Sequence, residues 1–266
     1  MDDLQPAPAE PNVPAPRAFI SVGDHLTISL ALTSALAWVG LCATGVNGIL
    51  IGVVLGVCGS VALLRGRREA ASLAFMTAVA SALIALPALT RLWPAPLLVA
   101  SATVLAVSRF RVPWLKRGEC GGQVAGWIAA VVVVSAGALV AWWAIARPDL
   151  ADLPTLPVGL HPALLTAGII AWAAVNAAAE EFYFRGALQH ELVGALGRGG
   201  VVVQAVAFGF MHYHGFPRGW SGVVLATIFG LMTGALRLRA GGLLAPWIAH
   251  LAADLGIVLI WLTLLR

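Results

Sequence analysis

The sequence predicts an all-α fold, a polytopic transmembrane bundle of about eight or nine helices, and three observations carry that prediction. The 266-residue chain is 60% hydrophobic and only 11% charged, with a mean hydropathy of +0.92. So little charge leaves too few polar side chains to solvate a soluble domain's surface. The apolar residues fall in successive runs long enough to cross a hydrocarbon core at about 1.5 Å per residue. The breaks between runs carry turn chemistry: the cluster Arg65-Gly66-Arg67-Arg68, the stretch from Pro148 to Pro157, Gly197 to Gly200, Pro217, and Gly241-Gly242.

Taken in order, residues 1–24 hold five prolines and four acidic residues against the single Arg17. They lack the basic start and apolar core of a cleavable signal peptide and are expected to be a disordered, Pro-rich tail. Apolar runs follow at about 26–43, 46–64, 70–89 and 92–107. Pro94 and Pro96 interrupt the last of these, and with it the count of nine becomes eight. Further runs cover about 124–146, 160–181, 201–214, 220–236 and 243–265, of which 201–214 is short. No internal repeat is evident, and residues 25–266 read as one transmembrane domain with its chemistry concentrated at about 160–260.

The net charge of +4 is unevenly placed. With nine crossings, eleven basic residues fall in loops on one side of the membrane and four on the other. That asymmetry is a topology signal and not a nucleic-acid footprint, and it puts the N-terminus in the cytoplasm and the C-terminus outside. The three cysteines, Cys42, Cys58 and Cys120, have no C-x-x-C spacing. Neither a disulfide framework nor a thiolate metal site is implied.

Ionisable groups inside apolar helices are costly and by default mark function. The run AAAEEFYFRG places Glu180 and Glu181 side by side, with Arg185 four residues after the second, at the expected end of its helix. Positions four apart share a helical face, so Glu181 pairs with Arg185 while Glu180, about 100° round, faces elsewhere and is free to accept a proton. In FGFMH, Phe208 and His212 are likewise one turn apart, and the ring can pack under the imidazole. In HLAAD, His250 and Asp254 repeat that spacing well inside the last apolar run, so that the carboxylate either orients the imidazole or shares a water or ion with it. His25, His161, His190 and His214 lack such company and are left outside the site.

These three motifs, E-E-x-x-x-R, F-x-x-x-H and H-x-x-x-[ND], in that order on successive hydrophobic helices, resemble the CPBP intramembrane proteases. That family includes the eukaryotic CAAX prenyl endopeptidases and the bacterial bacteriocin-immunity, or Abi, proteins. The resemblance spans about residues 160–260. It implies that Glu180 activates a water, that His212 and His250 bind that water or stabilise the oxyanion, and that Asp254 assists His250. Glu181, Arg185 and Phe208 support the site. Asp254 stands where some members carry Asn, which leaves metal binding more open. The first five helices match nothing nameable.

Peptide hydrolysis is therefore the expected reaction, with a membrane-associated protein or peptide as substrate, the bilayer as surroundings, no nucleic-acid partner, and a bacterial inner membrane as the expected location. Glu180, His212 and His250 also make a legitimate zinc set. With no H-E-x-x-H helix in the chain, a glutamate mechanism without a metal cofactor is favoured over zinc. The rival classes are a proton-coupled transporter, in which Glu180, His212, His250 and Asp254 form a relay, and a non-catalytic immunity or assembly protein.

Overall fold

A computed structural model describes residues 22–44, 47–108, 112–147, 159 and 161–264. The Pro-rich tail expected at 1–24, the Pro148–Pro157 break and the loop arginines Arg109 and Arg111 lie almost wholly outside them. Every described element is helical: α1 (Val22–Val39) with a π-helical turn (Gly40–Thr44), α2 (Gly48–Leu64), α3 (Arg68–Ile84), the short α4 (Pro87–Thr90), α5 (Ala95–Ser108), α6 (Gly122–Ala146), α7 (Pro162–Glu180), a π-helical segment (Glu181–Leu188), α8 (Gln189–Leu196), α9 (Gly199–Met211), α10 (Gly219–Ala240) and α11 (Leu244–Leu264). The nine apolar runs read from the sequence fall on these helices, with the run 70–89 divided between α3 and α4. Four stretches, His25–Cys42, Gly122–Ala146, Pro162–Leu196 and Gly219–Ala240, are long and apolar enough to span a membrane. Shorter apolar helices accompany them at Gly48–Leu64, Ala95–Ser108, Gly199–Met211 and Leu244–Ile260.

Large apolar side chains such as Val53, Val57, Leu64, Val133, Ile145 and Leu164 stand outward. A face of that kind suits hydrocarbon and not water. Between the helices, lipid offers no hydrophobic drive toward association, and close packing has to supply it through small residues. α9 and α10 meet in this way at Gly209, where an added Cβ would collide with the Thr227 hydroxyl and the Val223 carbonyl.

The largest difference from the sequence reading concerns the helix expected to stop at residue 181. It runs from Pro162 to Leu196 without a break, passing through eight residues of π-helix immediately after Glu180. Periodicity missed this because the run of charge and aromatic residues from Glu180 to Arg185 resembles a helix end. Those side chains instead turn inward, where Tyr183, Phe184 and Leu188 are fully buried in the main core with Trp38, Leu73, Met76 and Phe208. π-helical insertions widen the turn and frequently occur at functional sites. Gly186 inside this one faces the indole of Trp114, and a Cβ there would overlap the ring.

Candidate active site

The continuous helix moves the Glu-Glu pair from a helix end to mid-helix, level with the inner part of α11. Glu180, Glu181, Arg185, His250 and Asp254 are all buried, and Arg185 is 0% exposed. The expectation that Arg185 lies at the end of its helix is therefore corrected: the helix continues to Leu196 and the guanidinium lies inside the bundle.

The two glutamates divide as the helical spacing predicts. Arg185 Nη1 lies 2.9 Å from Glu181 Oε1. The same Oε1 accepts a hydrogen bond of 2.7 Å from His250 Nδ1 on α11. Arg185 Nη2 donates to the Thr233 hydroxyl on α10, and its guanidinium stacks 4.1 Å above the Phe208 ring. A buried charge in an apolar site is tolerable only when paired and hydrogen-bonded in this manner. On the backbone side, Arg237 Nε donates to the Arg185 carbonyl at 2.9 Å, and Gln189 Nε2 to the Gly234 carbonyl at 3.0 Å. Both contacts tie the π-helical region to α10, whose sequence gave no hint of them.

Among the described residues, Glu180 makes no such ion pair with arginine. Its Oε2 lies 3.5 Å from His250 Nε2, and its Oε1 accepts from the Trp93 indole at 3.3 Å. Asp254 Oδ1 stands 3.7 Å from the same His250 nitrogen. Of the two roles open to Asp254, orienting the imidazole falls mainly to Glu181, which holds the opposite nitrogen from another helix. Asp254 Oδ2 instead accepts from Asn176 Nδ2 at 3.0 Å. Trp93 and Asn176 are site neighbours the sequence reading did not select. An asparagine four residues before Glu180 on the same helical face was the available signal for one of them.

His212 caps the C-terminal end of α9 and is half-buried. Its Nδ1 faces the Phe208 carbonyl at 3.0 Å, and its ring packs 4.6 Å from that of Phe208, as the F-x-x-x-H spacing predicts. Phe208 also lies 5.9 Å from the His250 ring, so one phenyl group separates and orients both imidazoles. His212, His250 and Asp254 share the wall of one cavity, which Phe208, Ser135 of α6 and Met232 of α10 also line. Of the histidines set aside, His161 caps α7 by accepting from the Ala163 amide, and His190 lies 3.3 Å from Glu69. His214 is exposed.

A four-coordinate zinc would need its donors about 2 Å from a common centre. Glu180, His212 and His250 do not bring one ligand atom each to within 4.8 Å of one another; among the described residues, the triplet that does is Glu69, His190 and Glu191, elsewhere in the bundle. The site as arranged does not fit a zinc held by those three residues.

The order of the motifs, the burial of the Glu-Glu-Arg group and its closure by His250 coincide with one comparison. Residues 162–256 match the family model described as type II CAAX prenyl endopeptidase Rce1-like. No curated protein and no solved structure matches the chain. The Rce1-like segment covers just over a third of the sequence, from the start of α7 to well inside α11, and so contains all three motifs. It agrees with the CPBP resemblance of the sequence and supports intramembrane protease activity acting on membrane-associated peptides. α1 to α6 lie outside it, including Trp93.

Proposed function

We propose that this chain is an intramembrane endopeptidase in which Glu180 activates the attacking water. The observation that carries the reading is the unequal treatment of adjacent glutamates: Glu181 is taken up by Arg185 and His250 Nδ1, while Glu180 keeps a carboxylate oxygen beside His250 Nε2. In the first step Glu180 removes a proton from water as the water oxygen adds to the scissile carbonyl carbon. The resulting oxyanion is stabilised by Nε2–H of His250 as an imidazolium, flanked by Glu180, Glu181 and Asp254. His212, whose Nδ1–H is given to the Phe208 carbonyl, accepts from the attacking water through Nε2 on the same cavity wall. Glu180 then returns its proton to the amide nitrogen as the C–N bond breaks, giving a free carboxylate and a free amine. Asp254 acts beside His250, and Glu181, Arg185 and Phe208 hold the imidazole in place. No step passes through a metal.

The substrate is a membrane-associated protein or peptide presented to the cavity from within the bilayer, and the setting we assign is a bacterial inner membrane. The test uses the full chain in proteoliposomes with two quenched fluorescent peptides, one ending in a farnesylated CAAX sequence and one membrane-anchored without a prenyl group, alongside a proton-flux dye. Cleavage of either peptide that Glu180→Gln abolishes is the expected result. Proton flux without cleavage would overturn the peptidase reading in favour of the carrier.

A further inference from the structure

The site contains a neutral hydrogen-bond bridge between its two outer carboxylates, and one half of that bridge comes from outside the family match. Trp93 lies in the turn between α4 and α5, and its Nε1 donates to Asn176 Oδ1 at 2.8 Å and to Glu180 Oε1 at 3.3 Å. Asn176, buried one turn before Glu180 on α7, donates through Nδ2 to Asp254 Oδ2 at 3.0 Å.

The chemistry of these groups fixes the direction of each bond. An indole only donates and an ionised carboxylate only accepts, whereas a carboxamide does both from opposite ends. Reversing the Asn176 amide would set its NH2 against the indole N–H and its carbonyl against the Asp254 carboxylate. Only one orientation satisfies both neighbours. With Oε1 engaged by Trp93, the remaining oxygen of Glu180 is Oε2, which is buried, accepts no hydrogen bond from the described residues and lies 3.5 Å from His250 Nε2.

Building on the peptidase reading, we infer that Trp93 and Asn176 are positioning residues that hold Glu180 by Oε1 and Asp254 by Oδ2, so that Glu180 Oε2 is the oxygen that takes the proton from water. α7 thereby receives its orientation in part from the N-terminal half of the bundle. A bridge serving only to dock the two halves would affect folding and leave the turnover of folded protein alone.

The test measures kcat and KM per folded molecule, with the full chain in proteoliposomes and whichever of the two peptides the parent cleaves. Trp93→Phe keeps the ring and removes the donor. It is expected to lower kcat about ten- to a hundredfold, the effect of one lost hydrogen bond to a charged group, with KM held to within about twofold. Asn176→Asp sets two carboxylates against each other and is expected to lower kcat at least as far. Adding Asp254→Asn restores a donor with the bond reversed and is expected to recover about tenfold. Should Trp93→Phe fail to fold, the Asn176→Asp and exchange pair decides by the same criterion. Parent-level kcat in Trp93→Phe and Asn176→Asp, with Glu180→Gln inactive, would overturn the positioning role and leave the peptidase reading standing. A parent that cleaves neither peptide, or a fully active Glu180→Gln, would overturn both.

Discussion

Glu181 and His250, 69 positions apart in the chain, meet at 2.7 Å across two helices, and the same carboxylate oxygen also meets Arg185 at 2.9 Å. The tandem glutamates are thus not a redundant pair. Glu181 is the fixed point that sets the imidazole through Nδ1 and directs Nε2 toward Glu180 and Asp254. A carboxylate on one imidazole nitrogen fixes the proton on that nitrogen and the ring plane.

Glu180→Gln preserves shape and hydrogen-bonding volume while removing the base. We expect turnover to fall by at least about a hundredfold, the lower bound for losing a positioned general base. Its unfolding temperature in detergent should stay near that of the parent. Parallel cleavage and melting measurements check this, and undiminished cleavage would remove Glu180 from its role.

Arg185→Ala should behave differently, because it strands Glu181 inside the bundle. Removing one member of a buried ion pair costs roughly 3–5 kcal/mol, so the variant is expected to melt far below the parent as well as to lose activity. Arg185→Lys should rescue only part of either property. A single ammonium cannot reach Glu181 and Thr233 in the fork geometry that Nη1 and Nη2 supply, nor stack its plane on Phe208. An alanine variant as stable as the parent would contradict this assignment.

The helices themselves were legible in the sequence because hydropathy and turn residues act locally: the apolar runs from 26–43 to 243–265 fall on helices. So were the in-helix pairs Glu181–Arg185 and Phe208–His212, which follow from a spacing of four. The interior course of the chain beyond Glu181 was not legible. Glu180, Glu181 and Arg185 look solvated in one dimension, and only the contacts with His250, Thr233 and Phe208 make their burial tolerable. Those contacts join residues far apart in sequence. Trp93 was hidden for a related reason, since tryptophan in a turn of a membrane protein ordinarily reads as an interfacial anchor.

Gly186 offers a test of the π-helical segment that leaves every charged group in place. An alanine Cβ would overlap the Trp114 ring, and a packed core accommodates such an insertion by shifts that typically cost about 1–3 kcal/mol. Gly186→Ala is expected to lower the unfolding temperature and the turnover together, while Gly186→Ala with Trp114→Leu should recover part of both. Unchanged stability in the single variant would show that the helix is not held against Trp114.

The histidines and the metal question can be resolved in one set of measurements. His212→Ala and His250→Ala should each reduce kcat about as much as Glu180→Gln, and the double variant should be little worse than either, because groups that act as a unit are not additive. A double variant much slower than both would make them independent contributors. If hydrogen bonds alone position the water, protein purified in strong chelator should keep its activity and bind less than one equivalent of zinc. That Glu180, His212 and His250 do not bring three ligand atoms mutually within 4.8 Å motivates that expectation, although Glu180 and His250 themselves approach to 3.5 Å. Zinc could still act if substrate drew the three helices together, and coordination would then compete with the contacts that His250 makes to Glu181 and Asp254. Elemental analysis of active protein distinguishes the two cases: stoichiometric zinc, with activity lost to chelator and restored by zinc alone, would replace the glutamate mechanism with metal-assisted hydrolysis.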